Sequence, residues 1–185
     1  MLFRSIRASR VCSAINHATG YGIVPTAPPH AEFGAVMERM RRLRADLSAN
    51  DSAARFKSLG VDVFLGEARF VGRDAAEVDG KRLNFRRALV ATGARPAAPP
   101  IPGLAESGFL TNETVFSLTE LPRRLAVIGA GPIGCELAQA FQRFGSQVTL
   151  LEVMSQILIR EDQDAARSLQ MAKGSGRHGP ATGSL

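Results

Sequence analysis

The spacing of apolar positions changes along the chain, and each change marks a different kind of predicted element. From Ala31 to about Lys57, apolar side chains recur every three or four residues, which predicts helix. From Val61 to Val71 the pattern favours one strand or two short strands kinked at Gly66. Asp79-Gly80 is a typical hairpin turn that leads into Leu83–Val90, and the end of that stretch, Ala88–Val90, predicts an apolar strand. The middle of the chain is therefore predicted to be a small β region entered from helices.

Residues 1–23 contain no acidic side chain and carry Arg4, Arg7 and Arg10 at helical spacing. Two interpretations stay open. The segment is an ordinary helix whose arginine side faces water, which we favour, or it is a mitochondrial presequence, a class that is typically Arg-rich and acid-free. Prolines between Val24 and Pro29 predict a break after it, because proline lacks a backbone donor.

A second pattern begins near Pro122, where a strand, a glycine-rich turn, a helix and another strand follow one another. Leu125–Ile128 predicts a short buried strand that runs into Gly129-Ala130-Gly131-Pro132-Ile133-Gly134. The next helix, which Gly145 ends, has one apolar side formed by Ile133, Leu137, Phe141 and Phe144. The second strand, Gln147–Leu151, is followed by Glu152. This order predicts a dinucleotide-binding unit, the alternative being a glycine turn in an α/β unit that binds no nucleotide.

Each residue type in this motif has a physical reason. Gly129 permits the tight turn, Gly131 lets the backbone approach a pyrophosphate, and Gly134 lets the helix pack closely on the strand. The pyrophosphate would face the free N–H groups at the helix N-terminus. The Glu152 carboxylate can accept hydrogen bonds from ribose hydroxyls and would repel a 2′-phosphate, so NAD(H) is favoured over NADP(H).

Other candidate groups have an ordinary structural explanation. Glu136 helps to shape a nicotinamide pocket or is a plain acid near a helix start. Cys135 could have a lowered thiol pKa near the helix start, but a small buried packing residue is the more frequent case. Cys12 and Cys135 are too far apart in sequence for a CxxC cluster, and the histidines share no ligand spacing. We therefore expect no metal site.

The composition narrows the class of protein. A hydrophobic fraction of 45% excludes a disordered chain, and no apolar run reaches the roughly 18 residues of a membrane span. The net charge of +6 comes from scattered basic residues without a continuous stripe, which argues against nucleic-acid binding. Two widely spaced cysteines favour a reducing compartment, and we expect a cytoplasmic protein.

Four stretches follow one another in the chain: Gly66–Phe70, Leu89–Pro96, Pro99–Leu104 and the glycine motif. In this order they resemble the FAD-dependent pyridine nucleotide-disulfide oxidoreductases, with dihydrolipoamide dehydrogenase and mercuric reductase as the nearest-looking members. The resemblance implies an α/β fold of incomplete FAD/NAD(P)-binding Rossmann-like domains with a small β region in the middle. Residues 1–104 would be the C-terminal part of a truncated FAD-binding domain, 105–171 the first βαβ portion of an NAD-binding domain, and 172–185 a disordered tail.

The resemblance also implies FAD and NAD as cofactors. Carried over by position, Ala68 would lie against the adenine side of FAD, and Thr92 and Gly93 would pass close to the flavin nucleotide. Such enzymes pass hydride from NAD(P)H through FAD to a disulfide-type or related acceptor. They are usually homodimers.

The departures from the family pattern concern both ends of the chain. The family's first GxGxxG, its CxxxxC redox pair and its dimerisation domain have no counterpart here, so we assign no catalytic residue. Two hypotheses follow for function. The chain derives from an FAD- and NAD-dependent oxidoreductase, or it is a catalytically inactive truncated fragment that keeps at most nucleotide binding. Turnover by this chain alone is not expected.

Overall fold

The computed structural model describes residues 2–27 and 30–174, without the side chains of residues 2–5 and 169–174. The chain divides into two compact units. The first contains the residues up to 43 together with those from 110 onward, and the second contains residues 44–109. The helices and strands are α1 (Leu2–Asn16), α2 (Phe33–Asn50), α3 (Ala53–Ser58), β1 (Ala68–Phe70), β2 (Ala75–Val78), β3 (Lys81–Asn84), β4 (Arg124–Ile128), α4 (Pro132–Phe144), β5 (Gln147–Leu151) and α5 (Gln163–Gly174).

The first unit is built around one strand–helix–strand motif. Strands β4 and β5 are parallel and paired in register from Arg124 opposite Gln147 to Ile128 opposite Leu151. Helix α4 connects them and ends at Gly145, whose left-handed conformation (φ +115°) permits the reversal into β5. The predicted strand, glycine turn, helix and strand are therefore confirmed at their predicted positions.

Helices α1 and α2 cover one side of this motif. Helix α1 packs against α4, and Phe33 at the start of α2 lies between two aromatic rings of α4. Its ring centroid is 5.7 Å from that of Phe141 and 5.8 Å from that of Phe144. The buried core is formed by Phe33, Met37, Met40, Val115, Phe116, Ala138, Ala140, Phe141, Phe144 and Val148. This packing groups the N-terminal residues with the second half of the chain. The family-based segments 1–104 and 105–171 stay a prediction.

Two positions predicted to be buried in this unit are not. In β4 only alternate side chains, Leu125 and Val127, pack against the core, while Ile128 is 46% exposed. Ile133 was assigned to the apolar side of α4, but it is 48% exposed because it lies in the first turn, next to the glycine turn and beyond the packed core. The prediction of a buried strand was therefore wrong at Ile128, and the assignment of Ile133 to the packed side of α4 was wrong as well.

The second unit is a three-stranded antiparallel sheet in the order β1-β2-β3. The predicted hairpin is confirmed, because Asp79 and Gly80 join β2 to β3 with positive φ values of 47° and 78°. The predicted strands on either side are shorter than expected. Residues 61–65 form no strand, and β3 ends at Asn84.

The apolar stretch Ala88–Val90 was predicted to be a strand and is not one in the structure. Leu89 is 92% exposed and Val90 is 66% exposed. A strand requires a hydrogen-bonded neighbour, and no strand in the described ranges pairs with this segment. The apolar composition of this segment alone therefore led to a wrong strand prediction.

The ends of the helical regions also differ from expectation. The helix predicted over residues 31–57 is two helices, because Ser52 caps α3 by accepting a hydrogen bond from the backbone N–H of Arg55. Helix α5 continues to Gly174, so residues 172–174 of the predicted tail are helical. The remaining tail residues, 175–185, lie outside the described residues. In the part of the chain that is described, no helix is long and apolar enough to cross a membrane.

Candidate functional site

The glycine loop, residues 129–131, connects β4 to α4. Gly129 has φ +97°, a conformation that side chains rarely adopt. Its N–H donates to the carbonyl oxygen of Leu151 at 2.8 Å, which extends the β4–β5 pairing by one hydrogen bond. The loop therefore starts at a fixed point on the neighbouring strand.

Ala130, in the middle of the glycine loop, is completely buried. Its N–H donates to Oε2 of Glu152 at 2.6 Å. Its carbonyl oxygen accepts hydrogen bonds from the backbone N–H of Leu158 at 2.9 Å and from Sγ of Cys135 at 3.4 Å. The N–H and the carbonyl oxygen of Ala130 are thus both hydrogen-bonded to groups from outside the loop.

Gly131 and Pro132 form the start of α4. Gly131 is the N-cap in an extended conformation, and no atom lies within 4 Å of the place where a Cβ would stand. Pro132 follows at the first helical position, where a missing N–H costs nothing. The N–H groups of Ile133 and Gly134 in this first turn have no acceptor within the helix, so the helix presents donors and a partial positive charge here. This arrangement suits an anion that approaches past Gly131.

Gly134 lies where α4 comes closest to the preceding loop. A Cβ on this residue would collide with the carbonyl oxygen of Gly129 and would stand 3.5 Å from Cγ1 of Val127. Only glycine therefore fits the helix against the end of β4 without a backbone shift.

Glu152 lies directly after β5 and is half-buried. Besides the Ala130 hydrogen bond, its Oε1 accepts from the backbone N–H of Met154 at 3.0 Å. The hydrogen bonds from Ala130 and Met154 lower the pKa of the carboxyl group, outweighing the opposite effect of burial, and a further bond from Val153 acts in the same direction. The carboxylate is therefore held ionised beside the glycine loop.

The structure brings some of the predicted site residues together and places others elsewhere. Glu136 is half-buried, one turn further along α4 than the glycine loop. Cys135 is 5% exposed, which confirms the interpretation as a buried packing residue. Ala68, Thr92 and Gly93 belong to the second unit: Ala68 begins β1, while Thr92 and Gly93 lie in an exposed irregular segment. Gly93 has φ +70°, and no atom lies within 4 Å of the place where its Cβ would stand.

One contributor to the site was not predicted from the sequence. Leu158 binds the Ala130 carbonyl through its backbone N–H, and its own φ is +54°. Leucine is an unusual residue in this conformation, and every residue except proline offers the same N–H. No pattern of side chains could therefore have indicated it.

The residues present fit a dinucleotide. The backbone is open at Gly131, this opening lies at the N-terminus of α4 with its free backbone donors, and a carboxylate lies at the end of the neighbouring strand. For FAD, the matching feature is the open backbone at Gly93. Within the described residues, no group of His, Cys, Asp and Glu side chains could hold a metal ion.

Relatives of known identity match most of this chain. A mercuric reductase of Bacillus cereus is 40% identical over 147 residues, which are 80% of this chain and 23% of that protein. A mercuric reductase of Serratia marcescens is 35% identical over 179 residues, 90% of this chain and 37% of that protein. A dihydrolipoyl dehydrogenase of Acholeplasma laidlawii is 27% identical over 163 residues, 86% of this chain and 48% of that protein. The chain thus spans less than half the length of each of these relatives.

A solved structure gives the same result for the fold. The HOCl-induced flavoprotein disulfide reductase RclA from Escherichia coli superposes with a TM-score of 0.71 at 26% identity, covering 94% of this chain and 36% of that one. The sequence model of the pyridine nucleotide-disulphide oxidoreductase family matches residues 15–174. Because that match includes most of the chain, the expected Rossmann-like α/β class and the resemblance are confirmed: the chain belongs to the pyridine nucleotide-disulphide oxidoreductase family.

Proposed function

We propose that this chain is the nucleotide-binding part of an FAD- and NAD-dependent oxidoreductase of the disulfide reductase type, and that NAD(H) binds at the glycine loop. The observation that carries the proposal is the contact between Glu152 and Ala130. It places an ionised carboxylate next to the open N-terminus of α4, so that one site offers donors for a pyrophosphate and acceptors for a ribose.

The pyrophosphate would lie against Gly131. The first-turn N–H groups of Ile133 and Gly134 would donate to its oxygens, and the positive end of the helix dipole would favour its charge. Any side chain at residue 131 would occupy the space that the pyrophosphate requires. These residues would bind and orient the ligand without taking part in proton transfer.

A ribose hydroxyl would donate to Glu152. An ionised carboxylate has about four acceptor positions, and the N–H groups of Ala130, Met154 and Val153 use three of them. The remaining position would accept from a ribose hydroxyl. A 2′-phosphate would place negative charge against the carboxylate, so the site would prefer NAD(H) to NADP(H).

When bound, NAD(H) and FAD would supply the hydride-transfer chemistry that reduces a disulfide-type or related acceptor. Ala68, Thr92 and Gly93 would contact the FAD, with Gly93 allowing close approach because it has no side chain. The sequence contains only two cysteines, Cys12 and Cys135, which do not form a CxxxxC pair. No residue of this chain is therefore assigned to reduction of the acceptor. A cytoplasmic location belongs to the same family-level proposal.

A second candidate function is nucleotide binding without turnover. The observation that favours it is the exposure of Leu89 and Val90, which precede the proposed flavin contact at Thr92 and Gly93. An FAD site next to an unpaired apolar segment would be poorly ordered, whereas the glycine loop is held by three hydrogen bonds at Ala130. In this second candidate function, the chain binds NAD(H) at the glycine loop and binds no FAD.

Titration of the purified chain with NADH, followed by the nicotinamide fluorescence, tests the first step. Gly131→Val is expected to abolish binding, because the larger side chain fills the pyrophosphate position. Gly20→Val is the matched control, since Gly20 also has no atom within 4 Å of a Cβ and lies in a different part of the sequence. Equal NADH affinity in both variants would refute binding at the glycine loop.

The visible absorption spectrum separates the two candidates. The desalted chain, refolded with FAD, should retain a flavin band if residues 44–109 contribute a flavin site. A folded chain that binds NADH but retains no flavin supports the second candidate.

Replacement of Glu152 by Gln should narrow the preference for NADH over NADPH, since it removes the charge that opposes a 2′-phosphate.

A further inference from the structure

The strap, residues 152–158, leaves the end of β5 and returns to the glycine loop. It contacts the loop through two hydrogen bonds, and both of them are at Ala130. At its first residue, Glu152 accepts from the Ala130 N–H at 2.6 Å, and at its last, the Leu158 N–H donates to the Ala130 carbonyl at 2.9 Å. The strap therefore contacts two successive peptide groups of the loop.

Each of these two peptide groups has a glycine on one side. The Ala130 N–H belongs to the peptide shared with Gly129, and the Ala130 carbonyl to the peptide shared with Gly131. A peptide plane that has glycine on one side rotates with little steric resistance. The Ala130 carbonyl and the Gly131 N–H belong to one planar peptide group, so the hydrogen bond from Leu158 also fixes the direction of the Gly131 N–H at the start of α4.

Leu158 adopts a conformation that is unfavourable for leucine. Its φ is +54°, where Cβ crowds the backbone, and such a conformation persists only when surrounding interactions stabilise it. Two backbone hydrogen bonds hold this residue: its N–H donates to the Ala130 carbonyl at 2.9 Å, and its carbonyl accepts from the N–H of Glu161 at 2.8 Å. The strained residue and the loop contact thus occur at the same position.

We propose that Leu158 is a positioning residue for the dinucleotide site: its backbone N–H fixes the Ala130–Gly131 peptide and so holds the glycine loop ready for a pyrophosphate. This inference rests on the proposed function, because it concerns the same site. Preorganising a loop in its binding conformation raises affinity by removing the entropy cost of ordering it on binding. Leu158 would touch no part of the ligand.

The test compares two substitutions at Leu158 in the full chain, with NADH as the probe. Leu158→Pro removes the N–H and excludes positive φ, whereas Leu158→Gly keeps the N–H and takes positive φ without strain. We expect the Kd for NADH to rise about tenfold in the proline variant, because binding must then supply the entropy cost of ordering about one residue of the loop. In the glycine variant the Kd should stay near the wild-type value. Leu158→Asn should also retain binding, because asparagine tolerates this conformation.

Amide hydrogen exchange supplies a readout that does not depend on NADH. Leu158→Pro should increase the exchange rate of the Ala130 amide more than those of the β4 and β5 amides. A general loss of stability would instead increase all of them together. If Pro and Gly weaken binding equally, the half-buried leucine side chain acts only by packing and the proposal is overturned.

Two further outcomes remain decisive. If Leu158→Pro does not fold, Leu158→Val and Leu158→Gly are compared, since a β-branched side chain strongly disfavours φ +54° whereas glycine adopts it freely. Weaker NADH binding by the valine variant supports the proposal, and equal binding overturns it. If the folded wild-type chain binds no NADH, the proposed function fails, and the Ala130 exchange rates alone decide whether Leu158 positions the loop.

Discussion

Oε2 of Glu152 lies 2.6 Å from the backbone nitrogen of Ala130, so the acid that follows one strand is hydrogen-bonded to the loop that follows its neighbour. Parallel pairing of β4 and β5 brings the carboxyl ends of both strands to one edge, which is why residues 22 positions apart in sequence meet. The carboxylate therefore has a structural partner before any ligand binds. A bound ribose would donate to a carboxylate that the Ala130 N–H already holds in position.

Stability should depend on the ionisation of Glu152. Hydrogen bonds from Ala130 and Met154 lower its pKa in the folded chain, so the folded state binds this proton less readily than the unfolded state does. Its stabilising contribution is full above the unfolded-state pKa, about 4.3, and is lost as the pH falls through the lower folded-state pKa. The Tm difference between the wild-type chain and Glu152→Gln should therefore be largest near neutral pH and shrink below about pH 5.

Glu120→Gln is the control for this experiment, because Glu120 is an exposed acid in the same unit. Its Tm should follow that of the wild-type chain at every pH. A Tm difference for Glu152→Gln that stays constant from neutral pH into the acid range would show that the carboxylate does not stabilise the loop through its charge.

Gly131→Ala should separate binding from stability. Gly131 has φ −70°, which alanine adopts without strain, and no atom lies within 4 Å of the added Cβ. The free energy of unfolding should change by less than about 0.5 kcal/mol, as at other uncrowded surface positions. NADH affinity should nevertheless fall, because the methyl group stands where the pyrophosphate approaches. Unfolding by urea and NADH titration measure the two effects, and unchanged affinity would contradict the proposed site.

Gly134→Ala should have the opposite pattern of effects. The added Cβ would collide with the carbonyl oxygen of Gly129, which belongs to the backbone and has little freedom to move. Overpacking of this kind costs typically about 1–3 kcal/mol in stability. The midpoint of urea unfolding should therefore fall clearly below that of Gly131→Ala. Equal midpoints for the two variants would mean that α4 is less closely packed on β4 than the structure shows.

Features set by short-range chemistry could be predicted from the sequence. The Asp79-Gly80 turn lies where predicted because both residues must adopt positive φ, which few residue pairs favour. The end of α4 at Gly145 follows from the same property of glycine. The glycine loop and Glu152 combine local signals in a fixed order, which is why their places in the strand–helix–strand motif were predicted to the residue.

Features set by distant partners could not be predicted. Ala88–Val90 has the composition of a strand, but pairing depends on a neighbour that composition does not reveal. The packing of Phe33 on α4 joins residues more than a hundred positions apart, and periodicity shows only that Phe33 has an apolar side to bury. The hydrogen bond from Leu158 to Ala130 uses the backbone alone, so no side chain signals it.

The contact of Phe33 with α4 leads to the last prediction. Phe33 is 5% exposed, and its ring lies within 6 Å of the rings of Phe141 and Phe144, measured between centroids. Phe33→Ala should lower the free energy of unfolding by about 3–5 kcal/mol, since it removes a buried ring and leaves a cavity. Phe56→Ala is the control: Phe56 is 42% exposed, so its loss should cost less than about 1 kcal/mol. Urea unfolding measures both, with Phe33→Leu as a milder change if the alanine variant does not fold. Equal costs at the two positions would show that α2 does not stabilise the strand–helix–strand motif, and the core described above would be wrong.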